Sequence, residues 1–97
     1  MPDKQVRKYI IVPNESVVVM PKDAEILTVS VKRNRSRIRL HALVDPGNPP
    51  EKRAFVSVVS GQPIDKENLR FISTIYFNEL VIHYFEDLNK TAQLNET

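Results

Sequence analysis

The sequence predicts an all-β fold with at most one short helical turn, arranged as a small antiparallel sandwich or partly open barrel of about seven short strands. Apolar and polar residues alternate with a period of two in short runs rich in valine and isoleucine. Proline, asparagine and aspartate stand between these runs, where they favour turns. The 97 residues are 41% apolar and 27% charged, which is typical of one soluble globular domain.

The first two predicted strands cover residues 7–12 and 16–20. Pro13 and Asn14 separate them, because proline fixes φ and asparagine tolerates turn conformations. Pro21 ends the second strand because it has no amide hydrogen to donate to a sheet.

The next two strands, "EILTVSV" (25–31) and "RIRLHALV" (37–44), predict a hairpin with its tip at Asn34 and Arg35. One register sorts both strands into an apolar face and a polar face, as a half-buried antiparallel pair requires. The apolar pairs are Val31–Ile38, Val29–Leu40 and Leu27–Ala42, and the polar pairs are Lys32–Arg37, Ser30–Arg39 and Thr28–His41.

A stiff loop is predicted over residues 45–53, which hold three prolines, and a fifth strand over residues 54–59. In the segment after it, Asp65 is placed to cap a single helical turn. Residues 69–77 and 79–86 then form a second hairpin, which turns at Asn78 and Glu79. Both of its faces are largely apolar, so we expect it to be central in a sheet or covered by a partner. Its pairs are Phe77–Leu80, Ile75–Ile82 and Ser73–Tyr84 on one face, and Tyr76–Val81, Thr74–His83 and Ile72–Phe85 on the other.

These elements predict one β domain over residues 6–87, between a flexible N-terminus (1–5) and a flexible or weakly helical polar tail (88–97). The chain has no cysteine, which excludes disulfides and thiolate metal sites. Neither a membrane-spanning run nor the apolar core of a signal peptide is present in the sequence. We therefore expect a cytoplasmic protein in a bacterial host cell that does not bind a membrane.

No enzyme motif stands in the sequence, and we expect no catalytic residue, metal or cofactor. The only histidines, His41 and His83, lack the spacing of a zinc site. His83 lies in mid-strand opposite Thr74, where a hydrogen-bonded structural histidine is the favoured interpretation over a general base. The only glycines, Gly47 and Gly61, do not form a phosphate-binding loop.

Charge is unevenly distributed along the chain. Residues 1–44 hold nine cations and four anions, whereas residues 45–97 hold five cations and eight anions. The excess of positive charge is concentrated in the first hairpin. Its candidate anion- or partner-binding residues are Lys32, Arg33, Arg35, Arg37, Arg39 and His41.

The predicted register places Lys32 opposite Arg37, and like charges directly opposite one another destabilise a sheet. A bound anion such as a phosphate would relieve that repulsion, and the planar guanidinium suits phosphate. The alternative is that carboxylates neutralise the stripe, with Glu15, Asp23 and Glu25 as the candidates, or that water screens it. Cations on a sheet edge also prevent aggregation without any ligand.

Several strings in a fixed order resemble a family of small proteins, encoded mostly by bacteriophages and prophages, that is known as a domain of unknown function. The strings are "MPKDAEILTVSV", "HALVDPGNPPEKRAF", "SGQPI" and "LVIHYFE", and the similarity runs from about Tyr9 to Glu86. The resemblance implies a phage-type origin and a compact β domain, and it implies no reaction. This sequence departs from the pattern in its arginine-rich hairpin tip and its polar tail.

We therefore expect a non-enzymatic binding protein of phage type that contacts a host or phage macromolecule, most simply a protein, as an inhibitor of a host enzyme or defence system would. The alternative is a nucleic-acid or nucleotide binder that uses the arginine-rich hairpin. A third hypothesis is a homo-oligomer that sequesters a ligand in pockets between subunits. The aromatic residues lie far from the basic stripe in sequence, which weighs against single-stranded nucleic acid.

Overall fold

The structure, a computed structural model, describes residues 3–32 and 37–96. It confirms the predicted fold class: in this part of the chain, seven antiparallel strands form two sheets that do not close into a barrel, and one short helix follows them. In chain order the elements are β1 (Gln5–Ile11), β2 (Glu15–Pro21), β3 (Glu25–Val31), β4 (Ile38–Val44), β5 (Pro50–Val59), β6 (Leu69–Phe77), β7 (Leu80–Asp87) and α1 (Leu88–Leu94).

The strands are divided between a three-stranded sheet in the order β1-β4-β3 and a four-stranded sheet in the order β2-β5-β7-β6. Alternate residues of each strand point to its inner face, and the inner faces of the two sheets enclose the core. Both sheets contribute buried side chains, among them Leu40, Ala42, Val44, Phe55 and Tyr84. In β4, which is central in its sheet, every second residue from Ile38 onward is buried.

The predicted register of the β3–β4 hairpin is confirmed over four consecutive pairs, from Thr28–His41 to Val31–Ile38. The next predicted pair is wrong, because a bulge at Leu27 places Ile26 opposite Ala42. A bulge adds one residue to a strand and so reverses the faces of the residues before it. Leu27, predicted to lie in the core, is consequently 42% exposed. The predicted tip, residues 34–35, lies outside the described residues.

The β6–β7 hairpin follows the same rule. Its predicted pairs are confirmed except for the last, where a bulge at Ile72 places Phe71 opposite Phe85. The predicted turn residues Asn78 and Glu79 have φ values of 50° and 67°. Two consecutive left-handed residues match the twist of an antiparallel hairpin. Of the two strands, β7 is central and β6 is an edge strand, so the expected central position holds for one of them.

Two predictions on loops are corrected. The loop predicted over residues 45–53 ends at 49, because β5 begins at Pro50 and pairs with Pro21 at the end of the ladder. Proline is tolerated there since its missing donor interrupts no further pairing. The helical turn predicted at Asp65 is not formed, as residues 60–68 contain no helix. The helix lies instead at α1, where the Asp87 carboxylate accepts a hydrogen bond from the Lys90 amide at 3.0 Å.

Helix α1, in the segment predicted as a polar tail, takes the place of β7 beside the first half of β5. The Ala54 amide donates to the Thr91 hydroxyl at 2.8 Å, and the Lys52 amide donates to the Asn95 side-chain oxygen at 3.0 Å. The Asn95 side-chain amide donates in return to the Lys52 carbonyl at 2.7 Å. The helix therefore satisfies backbone groups that would otherwise form an open strand edge.

Residues 60–68, here called the strap, cross the outer face of the four-stranded sheet. Strands β5 and β6 both pair antiparallel with β7, so they run parallel to each other and their connection has to cross β7. The Lys66 ammonium anchors the strap, 3.0 Å from a Glu15 carboxylate oxygen and 3.7 Å from one of Asp87. Val56, whose side chain points to this outer face, is only 6% exposed as a result.

Candidate functional site

The outer surface of the three-stranded sheet carries a row of positive charge, which we call the basic face. It is defined by Lys8, Lys32, Arg37, Arg39 and His41. The β4 residues come from the predicted stripe, and the confirmed hairpin register places Ser30 opposite Arg39 and Thr28 opposite His41. The last pair of the ladder is Val31–Ile38, so the pairing of Lys32 with Arg37, one residue beyond it, stays a prediction. Arg33 and Arg35 lie outside the described residues.

Strand β1 adds residues that were not predicted to belong to this surface. Lys8 pairs with His41 and Ile10 with Arg39, so their side chains share the outer face of the sheet. Val6, next along the same face, is 56% exposed, and Ile10 is 57% exposed. No local pattern in the sequence indicates that β1 and β4 are neighbours, because β2 and β3 lie between them along the chain.

The charges of the basic face have no carboxylate partner among residues 3–32 and 37–96. The ion pairs found there, with a 4.0 Å limit, involve only Arg53 and Lys66 as cations. Of the carboxylates proposed to neutralise the stripe, Glu15 binds Lys66 on the other sheet. Glu25 lies on the outer face of β3 but opposite Leu43, at the end of the sheet away from Lys32.

His41 is held within this surface by one hydrogen bond, between its Nε2 and the Ser30 hydroxyl at 2.8 Å. The contact crosses from β4 to the neighbouring strand β3 and fixes the ring between the two strands. Lys8 stands opposite His41 on the other side. The ring is half-buried, so it packs between its neighbours beside Arg39 and does not extend far into solvent.

Exposed aromatic side chains lie on the opposite broad side of the molecule. Phe71 and Tyr76 are 56% and 76% exposed on the outer face of the four-stranded sheet. Phe71 packs edge-on against Phe85, with ring centroids 5.6 Å apart. The fold therefore keeps these rings away from the basic face, as their separation in sequence suggested.

His83, the other histidine, connects its own strand β7 to β6 and to the first residue of the strap. The Ser60 hydroxyl lies 2.7 Å from its Nε2, and the Thr74 hydroxyl lies 2.9 Å from its Nδ1. The predicted pairing with Thr74 is thus present. A serine–histidine contact is also found in nucleophilic enzymes, where a carboxylate commonly orients the ring and free amides stabilise the oxyanion. Here a hydroxyl takes the carboxylate's place, and the Ser60 amide is already bound to the Val81 carbonyl at 3.0 Å.

A buried ion pair between Arg53 and Glu86 was not recognised in the sequence, where Arg53 was assigned to a loop. The pair is bidentate, with the Arg53 Nη2 donating to Glu86 Oε1 at 2.8 Å and Nε donating to Oε2. The remaining guanidinium nitrogen donates to the Ala24 carbonyl at 3.0 Å. The hydrogen bonds to Glu86 raise the pKa of Arg53. The alternation of β7 does indicate that Glu86 is buried, because Glu86 shares the inner face of the strand with Ile82 and Tyr84. A buried carboxylate requires a partner.

The ion pair that anchors the strap also shifts the pKa values of its two groups. The hydrogen bond from Lys66 holds the pKa of Glu15 below its ordinary value, and the Lys66 charge acts in the same direction. In return, the hydrogen bond to Glu15 raises the pKa of Lys66. Both groups remain charged over the neutral range, so the strap is fastened by an ion pair there.

The cavities found among the described residues are small or shallow, with volumes of up to about 290 Å³. One pocket between β2, β5 and the start of α1 has a volume of about 80 Å³, which is below the range of small-molecule sites. A groove of about 230 Å³ runs between β1 and β2. Within the part of the chain that the structure describes, no group of three histidine, cysteine or acidic residues is arranged to hold a metal ion. None of the helices in that part is long and apolar enough to cross a membrane.

Comparison with known proteins identifies the family of this chain. No curated protein and no solved structure is significantly similar to the chain. A family model matches residues 2–95, nearly the whole chain. The protein therefore belongs to the family described as "Domain of unknown function (DUF7352)".

Proposed function

We propose that this protein is a non-enzymatic binding protein whose basic face holds an acidic surface of another protein. The observation that carries the proposal is the row of cations without carboxylate partners among the described residues, set beside exposed aliphatic side chains. Arginine together with apolar area is typical of the contact regions of protein interfaces. An acidic partner would remove the repulsion within the row and cover Val6 and Ile10 at the same time.

The geometry of the basic face suits a flat partner. Three strands form its floor, so its side chains project from rigid backbone. In the structure as described, no other element packs on this side, whereas the strap and α1 both lie on the opposite side. The half-buried Arg39 is flanked by Ile10 and Ser30, its neighbours across the strands, and these neighbours restrict the orientations of its guanidinium group.

We further propose a bacteriophage or prophage origin and action in the cytoplasm of a bacterial host, where the partner is a host or phage protein. Inhibition of a host enzyme or defence system is the mode of action that such a contact protein would serve. The motif order in the sequence supports this origin by resemblance. Expression of an affinity-tagged chain in bacterial cells tests directly for such a partner. We expect one stoichiometric protein with an acidic surface to co-purify.

The decisive experiment reverses the charge of the basic face. In the Arg37→Glu/Arg39→Glu variant, we expect capture of the partner to fall at least about tenfold, since unlike charges across the interface become like charges. The matched control is Lys52→Glu/Arg70→Glu, which makes the same change in net charge at two exposed positions of the four-stranded sheet. Equal capture by both variants would reject the basic face as the binding surface, and loss in the control alone would do the same.

A nucleic-acid or nucleotide ligand is the second candidate, favoured by the guanidinium groups of Arg37 and Arg39, which suit phosphate. The exposed aromatic rings of the described residues lie on the other side of the molecule, so bases would not stack on them at this surface and contact would be mainly to phosphate. Such binding falls steeply with salt. Fluorescence anisotropy with labelled single- and double-stranded oligonucleotides at about 50 and 200 mM salt tests it. Absence of binding, or binding indifferent to salt, rules this candidate out.

The third hypothesis, a homo-oligomer that sequesters a ligand, would require pockets completed between subunits, because the cavities of one chain are small or open. It is tested by isothermal calorimetry on an oligomeric preparation with nucleotides as ligands. A heat of nucleotide binding that saturates at a fixed ratio of nucleotide to subunits would support it.

A further inference from the structure

The sandwich has one closed side and one open side. At the closed side the Ser73 hydroxyl, on β6, accepts a hydrogen bond from the Val29 amide, on β3, at 2.9 Å. This contact joins the edges of the two sheets. At the open side stand β1 and β2, which follow each other in the chain but belong to different sheets. Each pairs with a neighbour on one side only.

The two open edges differ in charge. Strand β1 carries Arg7 and Lys8, and cations on an edge strand discourage pairing with another strand. Strand β2, between its terminal Glu15 and Pro21, has the sequence Ser-Val-Val-Val-Met and no charge. Its Val17 and Val19 are 51% and 56% exposed. Neutral edge strands rich in valine are the ones that accept a further strand.

The direction of the free backbone groups follows from the hydrogen bonds at both ends of β2. The Ser57 amide donates to the Asn14 carbonyl at 2.8 Å, and the Lys22 amide donates to the Pro49 carbonyl at 2.7 Å. In an antiparallel pair, bonded residues recur every second position. Even-numbered residues of β2 therefore bond to β5, while Val17 and Val19 point their amide and carbonyl groups outward.

This edge is self-complementary about Val18. If a second copy approaches so that Val18 faces its own counterpart, Val17 of each copy lies opposite Val19 of the other. Those two residues then exchange both hydrogen bonds, and the Glu15 amide donates to the Pro21 carbonyl. The arrangement obeys a two-fold axis, the symmetry that most dimers have.

The side chains agree with the same register. Val17 and Val19 of the two copies meet on the outer face as a β-branched cross-strand pair, which is favourable. Glu15 of each copy comes opposite Pro21 of the other, so the two Glu15 carboxylates stand at opposite ends of the paired edge and no like charges meet. A continuous sheet of two four-stranded halves results.

We infer that the protein forms a two-fold symmetric homodimer by antiparallel pairing of the β2 edges of two copies. The interface is separate from the basic face and leaves two basic faces per dimer. Its existence does not depend on the proposed function, and either can fail without the other.

The test is the mass of the full chain in solution, by analytical ultracentrifugation between about 1 µM and 1 mM, a range that spans weak and moderate affinities. We expect a concentration-dependent dimer in the wild type. Val19→Pro removes an outward-pointing amide without touching the ladder to β5, and should raise the dissociation constant at least about tenfold. Val19→Lys, which keeps the backbone, should act in the same direction through added edge charge.

The matched control is Val6→Lys, since Val6 on β1 has the same 56% exposure as Val19. This variant should dimerise as the wild type does. Amide hydrogen exchange supplies a residue-level readout: protection of Val17 and Val19 should rise with protein concentration, while Val18 is protected at all concentrations. A chain that stays monomeric to 1 mM overturns the inference, as does a dimer that Val19→Lys and Val19→Pro leave intact. Capture of a foreign strand by this edge in place of a second copy would also overturn it.

Discussion

The two sheets of this protein start from the same alternating pattern and end with different outer faces. The three-stranded sheet leaves its outer face uncovered by any described element, and β4 keeps a regular alternation of buried and half-buried residues. The four-stranded sheet is covered over part of its outer face by the strap and flanked by α1, and residues 53–56 of β5 are all buried. Burial of a strand on both faces thus depends on the elements that pack on its outer face.

The covered sheet also has the more demanding interior. It contains the Arg53–Glu86 pair, which sits between the sheets and needs every one of its hydrogen bonds to offset desolvation. The bare sheet places its charges outward, where water solvates them at little cost. The comparison predicts that a loss of charge is expensive on one sheet and nearly free on the other.

The largest effect is expected for Glu86→Gln. Removing the negative charge leaves the buried Arg53 guanidinium with only the 3.5 Å contact to Glu51 as a counterion, which costs about 3 kcal/mol of unfolding free energy. Urea denaturation monitored by circular dichroism measures the loss. The control on the bare sheet is Arg39→Gln, which also removes one charge and should change stability by less than about 0.5 kcal/mol. Similar losses in both variants would contradict the contrast drawn between the two sheets.

A smaller effect is expected where α1 covers the first half of β5. Thr91→Val conserves side-chain shape but removes the acceptor of the Ala54 amide, and it also ends the 3.2 Å hydrogen bond to Glu86. A buried donor left without a partner costs about 1–2 kcal/mol. Thr91→Ser retains the hydroxyl and should recover most of the loss. If serine and valine destabilise equally in thermal unfolding, the hydroxyl is not what secures the helix.

The smallest effect is expected for the ion pair that anchors the strap, and it is measured as a change in the pKa of Glu15. Because the folded-state pKa of Glu15 is lowered by Lys66, the stabilisation from this pair is present above the ordinary pKa of 4.5 and is lost as the pH falls through the folded-state value. Lys66→Met should therefore raise the pKa of Glu15 toward 4.5, followed by carbon-13 NMR of its carboxyl group. Lys90→Met should raise it less, because the charge of Lys90 is a weaker cause. Equal pKa values in wild type and Lys66→Met would show that the anchor is not formed in solution.

The course of the two hairpins was largely predictable. Their registers follow from matching apolar to apolar and polar to polar positions between neighbouring segments, a local problem with one good solution. Both predictions failed at a bulge, at Leu27 and at Ile72. An inserted residue reverses one strand without altering its composition, so alternation alone does not reveal it.

The candidate site was predictable in part. The outward position of Arg39 and His41 followed from the hairpin, and the structure gives those two residues the predicted face. Lys8 was missed because β1 joins β4 only through a non-local pairing. The Arg53–Glu86 pair was missed because β5 begins earlier than the prolines of residues 45–53 suggested.

The sequence by itself determined the number and nature of the strands, the hairpin registers away from the bulges, and which side chains of β4, and of β3 after its bulge, face inward. It could do so because period-two alternation and turn residues act between neighbours in the chain. Only the tertiary structure decided which strands meet across long separations, that Lys8 joins the basic face, and that the strap covers part of one sheet while no described element covers the outer face of the other. Those outcomes depend on which apolar surfaces of the two sheets, the strap and α1 pack against one another. These segments are far apart in the chain, so no short stretch of sequence determines the result.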